Sequence, residues 1–327
     1  MESKAPKAIK YTLSFLLAAV FIWFAFRKVD WRAFLDGLAQ TRWIWVPLFF
    51  AASVGALIFR ALRWKMLLKP LDPEIRTSLL WDASNVGNLA NSVLPGTGEF
   101  VRCGYVCGHC GYDKALGTAV MERLWDFLAI GLLFILALLL GRERFGAFFQ
   151  EHILQPLAGS GASLWWIAVL AVVLIAGCIL AVYKFRDSNR ICGKISGIVS
   201  GLWHGMGSIS RMERKWAFAL CTAGIWTMYV LMCWCILKAV PALSGLGMTD
   251  ALFISAVGNI ASVIPVPGGM GAYHYLIALT LSSIYGASWD TGILFATLNH
   301  ELHLLLVIVL GAASYICVSI KRNRIKK

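Results

Sequence analysis

Glu99, Arg102, Glu122, Arg123 and Asp126 are charged groups set among apolar residues, and their spacing points to recognition of a polar, charged partner. Glu99 and Arg102 are three residues apart, so a helix puts them on one face. Glu122 and Asp126 are four apart and would repel each other without a cation between them, while Arg123 stands three from Asp126. An unpaired charge deep in a bilayer costs roughly 2.5–3.5 kcal/mol or more, so these groups need partners. We expect Arg102 to meet Glu122 or Asp126. Two plainer readings stand beside this one: a self-satisfied Glu99–Arg102 ion pair, and a Glu122–Asp126 set that anchors a helix at headgroup level.

A second polar set comes late in the chain. Pro265-Val266-Pro267-Gly268-Gly269-Met270-Gly271 makes a rigid turn followed by a permissive one, and His274 follows within a new helix. Asn299-His300-Glu301-Leu302-His303 then places ionisable groups inside a long apolar run. The second histidine comes one position too early for the H-E-x-x-H zinc arrangement, so the reading is a polar cavity lining and no metal. Cys103, Cys107 and Cys110 lie at i, i+4 and i+7; thiol ligation of zinc is possible there, but small-residue helix packing is the better account. Pro95-Gly96-Thr97-Gly98 is expected to turn sharply into a helix starting near Gly98, whose free N–H groups would suit an anion. There is no P-loop, no catalytic constellation and no sign of a cofactor, so an enzyme is not expected.

The elements that must carry these residues are apolar. The chain of 327 residues is 59% hydrophobic and 14% charged, against about a quarter charged in soluble domains. Stretches of the length a bilayer needs recur throughout, which marks an all-α polytopic membrane protein. Six full spans are expected, near 10–27, 43–60, 118–140, 163–183, 216–237 and 291–319. A basic connector carries Arg60 and Arg63, and a basic loop covers 184–215. The net charge of +13 lies in clusters beside the spans, as orientation and anionic headgroups require, not in a nucleic-acid footprint.

Two further stretches echo each other. Val86-Gly87-Asn88-Leu89-Ala90 leads to Pro95-Gly96, and Val257-Gly258-Asn259-Ile260-Ala261 leads to Pro265 and Pro267-Gly268-Gly269. Each is a helix-compatible segment broken by Pro and Gly, a pointer to a transporter-like binding site in which Asn88 and Asn259 take part. Each is expected to form a re-entrant hairpin, or two short crossings that would raise the spans to eight. With the N-terminus cytoplasmic, 22 of the 30 Lys and Arg fall in inside segments, so both termini are expected in the cytoplasm and the protein in the cell (inner) membrane. The halves, about 43–140 and 216–320, are then inverted repeats whose hairpins meet from opposite sides around a wet cavity.

Pro95-Gly96-Thr97-Gly98-Glu99 with Arg102, Glu122-Arg123 with Asp126, and Pro265-x-Pro267-Gly268-Gly269-x-Gly271 together resemble the lysylphosphatidylglycerol synthase transmembrane region family, over about residues 10–320. The resemblance implies a flippase-like domain that moves an anionic phospholipid or lipid-linked glycan between leaflets, with Glu99, Arg102, Glu122, Arg123 and Asp126 at the headgroup cavity and homo-oligomerisation possible. Family members usually carry Glu where this chain has His274, which implies a different lipid. No aminoacyl-transfer activity is expected of this membrane part. An integral membrane enzyme on a lipid-linked substrate, or a scaffold without cargo, are the competing readings.

Overall fold

The computed structural model describes residues 5–141, 214–261, 264 and 266–325. The expected span at 163–183 and nearly all of the basic loop at 184–215 lie outside the described residues. Every regular element described is helical, as an apolar chain that must satisfy its own backbone hydrogen bonds requires. The ten α-helices are α1 (Ala5–Phe26), α2 (Trp31–Ala39), α3 (Val46–Leu68), α4 (Thr77–Val93), α5 (Gly98–Cys110), α6 (Tyr112–Leu140), α7 (Lys215–Ala239), α8 (Met248–Ala261), α9 (Ala272–Tyr285) and α10 (Trp289–Ile325). Stretches built on α3, α6, α7 and α10 are long and apolar enough to cross a membrane.

Two of the boundaries that differ from the sequence reading bear on the site. α3 runs on to Leu68, eight residues past the expected end, because nothing between Gly55 and Pro70 breaks a helix. Arg60 and Arg63 therefore belong to a span rather than a connector, and Arg63 is wholly buried. α6 starts at Tyr112, ahead of the expected 118, because Gly111 at φ 78° ends α5 and lets the next helix begin at once.

The breaks fall where Pro and Gly put them. α4 stops at Val93, Gly96 adopts φ 74°, and α5 starts at Gly98. The Thr97 hydroxyl closes the turn by donating to the Ala90 and Leu94 carbonyls. The second break passes through a short turn at Pro267–Gly269 before α9, with Gly268, Gly269 and Gly271 all at positive φ. The arms of the two hairpins hold 17, 13, 14 and 14 residues, each shorter than the roughly 20 a straight bilayer crossing takes.

Packing joins these elements in a symmetrical way. α3 lies along α7, where Gly55 and Gly224 let Met228 and Phe59 approach closely. The first arm of each hairpin packs on the last helix of the other half: α4 on α10, and α8 on α6. Exchanging α3, α4, α5 and α6 with α7, α8, α9 and α10 reproduces the main contacting pairs among these eight helices. The hairpin tips also meet, since a Cβ built on Gly268 would lie 3.5 Å from the Ser92 carbonyl oxygen. Outside this frame, α1 packs on α9 and on the second break, and α2 packs on α10.

Candidate functional site

The first hairpin carries a network of four arginines and three acids. Glu122, on α6, is fully buried and sits 2.6 Å from Arg102 Nη1 on α5 and 3.0 Å from Arg63 Nη2 on α3. The same Arg63 Nη2 lies 2.7 Å from Asp126 Oδ1. The cation needed between Glu122 and Asp126 is thus Arg63, supplied by a helix remote in sequence. Arg123 pairs with Glu99 through both Nε and Nη2, and its Nη1 is 3.7 Å from Asp126. Arg60 stands 4.0 Å from Asp126 and donates to the Tyr229 hydroxyl on α7.

Neighbouring groups lock the guanidinium positions. Arg102 lies over the Trp64 ring at 4.6 Å, a cation–π arrangement that holds it without using its donors. The Trp64 indole N–H donates to Thr118. Asn91 accepts the Gly98 N–H with its Oδ1 and donates to Glu99 with its Nδ2. This corrects the sequence reading of a helix start with free N–H groups, because the side chain of Asn91 already takes the first donor of α5. The Glu99–Arg102 pair is likewise corrected: Glu99 turns to Arg123, and Arg102 turns to Glu122.

The network is not self-satisfied. Arg63 Nε and Nη1 and Arg102 Nε and Nη2 are buried with no hydrogen-bond partner among the described residues. Buried donors left unpaired cost about 1–3 kcal/mol each, and more on a charged group. Four guanidinium groups against three carboxylates also leave an excess of positive charge. From Trp125, one turn of helix from Glu122, a groove of about 860 Å³ runs between α6, α7 and α8, lined by residues such as Leu128, Leu132, Trp226 and Leu252. Its wall is almost wholly apolar, in contrast to the ionic network at its end.

The second hairpin carries aromatic and imidazole groups. His300 on α10 has its Nε2 at 2.7 Å from the Gly268 carbonyl and its Nδ1 at 2.9 Å from Glu301 Oε1. His274, in the first turn of α9, has its Nε2 at 3.7 Å from the same carboxylate oxygen. Asn299 bonds the Tyr273 hydroxyl, and His303 Nδ1 lies 2.7 Å from the Ser53 hydroxyl on α3. A cavity of about 230 Å³ lies beside them, bordered by Asn259, Gly268, Gly269, Tyr273, His300 and His303. Asn259 donates to the Ser255 carbonyl.

The expected site residues therefore fall into two groups instead of one. Glu99, Arg102, Glu122, Arg123 and Asp126 form the ionic network, with Gly98 at its edge and Gly96 in the turn before it. Asn259, Gly268, Gly269, His300 and Glu301 gather around the second hairpin with His274 and the buried Pro267. Gly271 is pressed against α1, where an added Cβ would meet Ile22 N at 2.6 Å, so that helix start is covered rather than presented to an anion. No hydrogen bond ties Asn88 to either cluster among the described residues. Arg60, Arg63, Trp64 and Asn91 were not anticipated. A signal existed for the arginines: Ser53, Ala56, Arg60, Arg63 and Leu67 follow a helical stripe, continuing the face that α3 buries.

Residues 11–311 match the family described as Lysylphosphatidylglycerol synthase TM region. That is most of the chain, and the chain belongs to this family of membrane proteins connected with lipid metabolism or transport. No curated protein and no solved structure matches it.

Proposed function

We propose that this member of the family binds the anionic headgroup of a phospholipid or lipid-linked substrate at the Arg63–Arg102 network and carries it between leaflets. One observation supports this reading above the others: the buried Nε and Nη1 of Arg63 and Nε and Nη2 of Arg102 have no hydrogen-bond partner among the described residues. A phosphate oxygen is the acceptor that arginine forks fit best, often through two parallel bonds. The apolar groove starting at Trp125 would take the acyl chains of the same molecule, since a site for a lipid needs both surfaces side by side.

The hairpins supply the rest of the reading. Arms too short to cross straight, tips in contact, and a helix-pair pattern that survives exchange of the halves favour two re-entrant hairpins in inverted repeats. Both termini then lie on the cytoplasmic face of the cell membrane, by the placement of Lys and Arg. Lipid movement would be read in vesicles holding the reconstituted full chain and a fluorescent phosphatidylglycerol. Leaflet exchange should exceed that of protein-free vesicles and fall to background in Arg102→Ala. Exchange at background for the unaltered chain across several anionic lipids would defeat the transport reading. A change of lipid mass on incubation would favour the enzyme reading.

A further inference from the structure

The second hairpin holds an arrangement that lipid binding does not use. We infer that His274, His300 and Glu301 form a binding site for a divalent transition-metal ion of the zinc class. One ligand atom from each of the three lies within 4.8 Å of the others.

The proton positions on His300 carry the inference. Its Nε2 is 2.7 Å from the Gly268 carbonyl, and a carbonyl can only accept, so Nε2 bears the hydrogen. The other nitrogen, Nδ1, then faces the Glu301 carboxylate oxygen at 2.9 Å. In a neutral ring, two lone pairs would oppose each other across that gap. Either a proton, on the imidazole or on the carboxyl group, or a metal ion bound by both relieves that opposition. A histidine that donates one N–H to a backbone carbonyl while offering its other nitrogen is the usual arrangement of a metal ligand and its outer partner.

His274 completes the set. It is 2% exposed, and its Nε2 is 3.7 Å from the Glu301 oxygen. An ion bound tetrahedrally at about 2.0–2.1 Å places its ligand atoms roughly 3.3–3.4 Å apart. The two separations at Glu301, 2.9 and 3.7 Å, bracket that value. Two imidazoles and one carboxylate leave a fourth position open to water or another ligand. The charge balance agrees. Glu301 lies well inside the apolar stretch Trp289–Ile320, yet among the described residues the only basic groups within 4.0 Å of its carboxylate are the two imidazoles. A divalent ion supplies the positive charge that arginines supply to Glu122. His303 is not part of the set, because the mutually close ligand atoms are those of His274, His300 and Glu301 alone among the described residues.

The test uses the full chain in detergent, stripped with a chelator and titrated with Co²⁺ alone. The expected result is one Co²⁺ per chain, with the visible absorption of a low-coordinate nitrogen and oxygen site, displaced by Zn²⁺. Affinity should fall at least ~10-fold, the lower bound for loss of even an outer partner, in His274→Ala and in Glu301→Gln. Combined Cys103→Ser, Cys107→Ser and Cys110→Ser should leave binding unchanged. Absence of stoichiometric binding, loss of binding in the cysteine variant, or undiminished binding in Glu301→Gln would each overturn the site. Glu301 is half exposed, so its variant decides the matter, on a monodisperse sample, should the His274 variant fail to fold. The result is independent of lipid exchange, because no vesicle or lipid enters the measurement.

Discussion

Glu99 stands in the first turn of α5 and pairs with Arg123 on α6; His274 stands in the first turn of α9 and faces Glu301 on α10. The two contacts join corresponding helices in halves whose helix contacts exchange with one another, but the acid stands on α5 in the first and on α10 in the second. Around the first, three further arginines gather, and guanidinium groups keep their charge at any pH a protein meets. Around the second, the basic groups within 4.0 Å of the carboxylate among the described residues are imidazoles, which in the neutral form can serve as metal ligands. The same hairpin scaffold therefore holds permanently charged guanidinium groups in one half and imidazoles in the other. The headgroup site proposed above lies at the first, and the proposed metal site lies at the second.

The largest effect should come from the centre of the permanent network. Glu122→Ala leaves Arg63 and Arg102 buried without their shared carboxylate, and losing one partner of a buried pair costs about 3–5 kcal/mol. Thermal unfolding in detergent should show it as a large drop in midpoint or as failure to recover a monodisperse protein. Exchanging the charges of Arg102 and Glu122 should not rescue, because the new arginine would meet Arg63, which lies 3.0 Å from Glu122 in the native protein. A stable charge-exchanged protein would show that Arg63 is free to turn away.

The matching glycines compare the hairpins directly. A Cβ on Gly87 would lie 2.8 Å from the Gly98 carbonyl oxygen, which is backbone, while one on Gly258 would lie 2.7 Å from the ring of Tyr273. Overpacking of this kind costs about 1–3 kcal/mol. Gly87→Ala should stand at the upper end and Gly258→Ala at the lower, since a ring can swing and a backbone carbonyl cannot. Equal losses would mean that Tyr273 is held as firmly as the α5 backbone, which its bond to Asn299 would explain.

Smaller changes sharpen the comparison at the edge. Glu99→Arg and Arg123→Glu should each cost about 1 kcal/mol, because Arg123 is 37% exposed and such pairs are screened. The double exchange should recover most of that, read as the coupling in a double-mutant cycle. The smallest effect belongs to Gly104→Ala on α5. An added Cβ there meets nothing within 4 Å, so the variant should gain roughly 0.5–1 kcal/mol from helix propensity alone.

Some of this was legible from residue order. Pro95 and Gly96 end α4 because one lacks an N–H and the other accepts positive φ, and both are properties of the residue itself. The apolar runs that became α6, α7 and α10 needed only composition, and their boundaries moved by a few residues. Arg63 shows where residue order stopped being enough. A charge next to an apolar run reads as the end of a span, although an unbroken helix carries that arginine to a fully buried carboxylate 59 residues away.

Sequence alone determined the helices, their breaks and which residues are too polar for lipid, because those depend on local backbone chemistry and hydropathy. Only the tertiary structure decided that Arg102 meets Glu122 while Glu99 meets Arg123, and that His274 and His300 converge on Glu301. Such pairings are set by how helices distant in the chain pack on one another, and side-chain spacing within one helix carries no information about its neighbour.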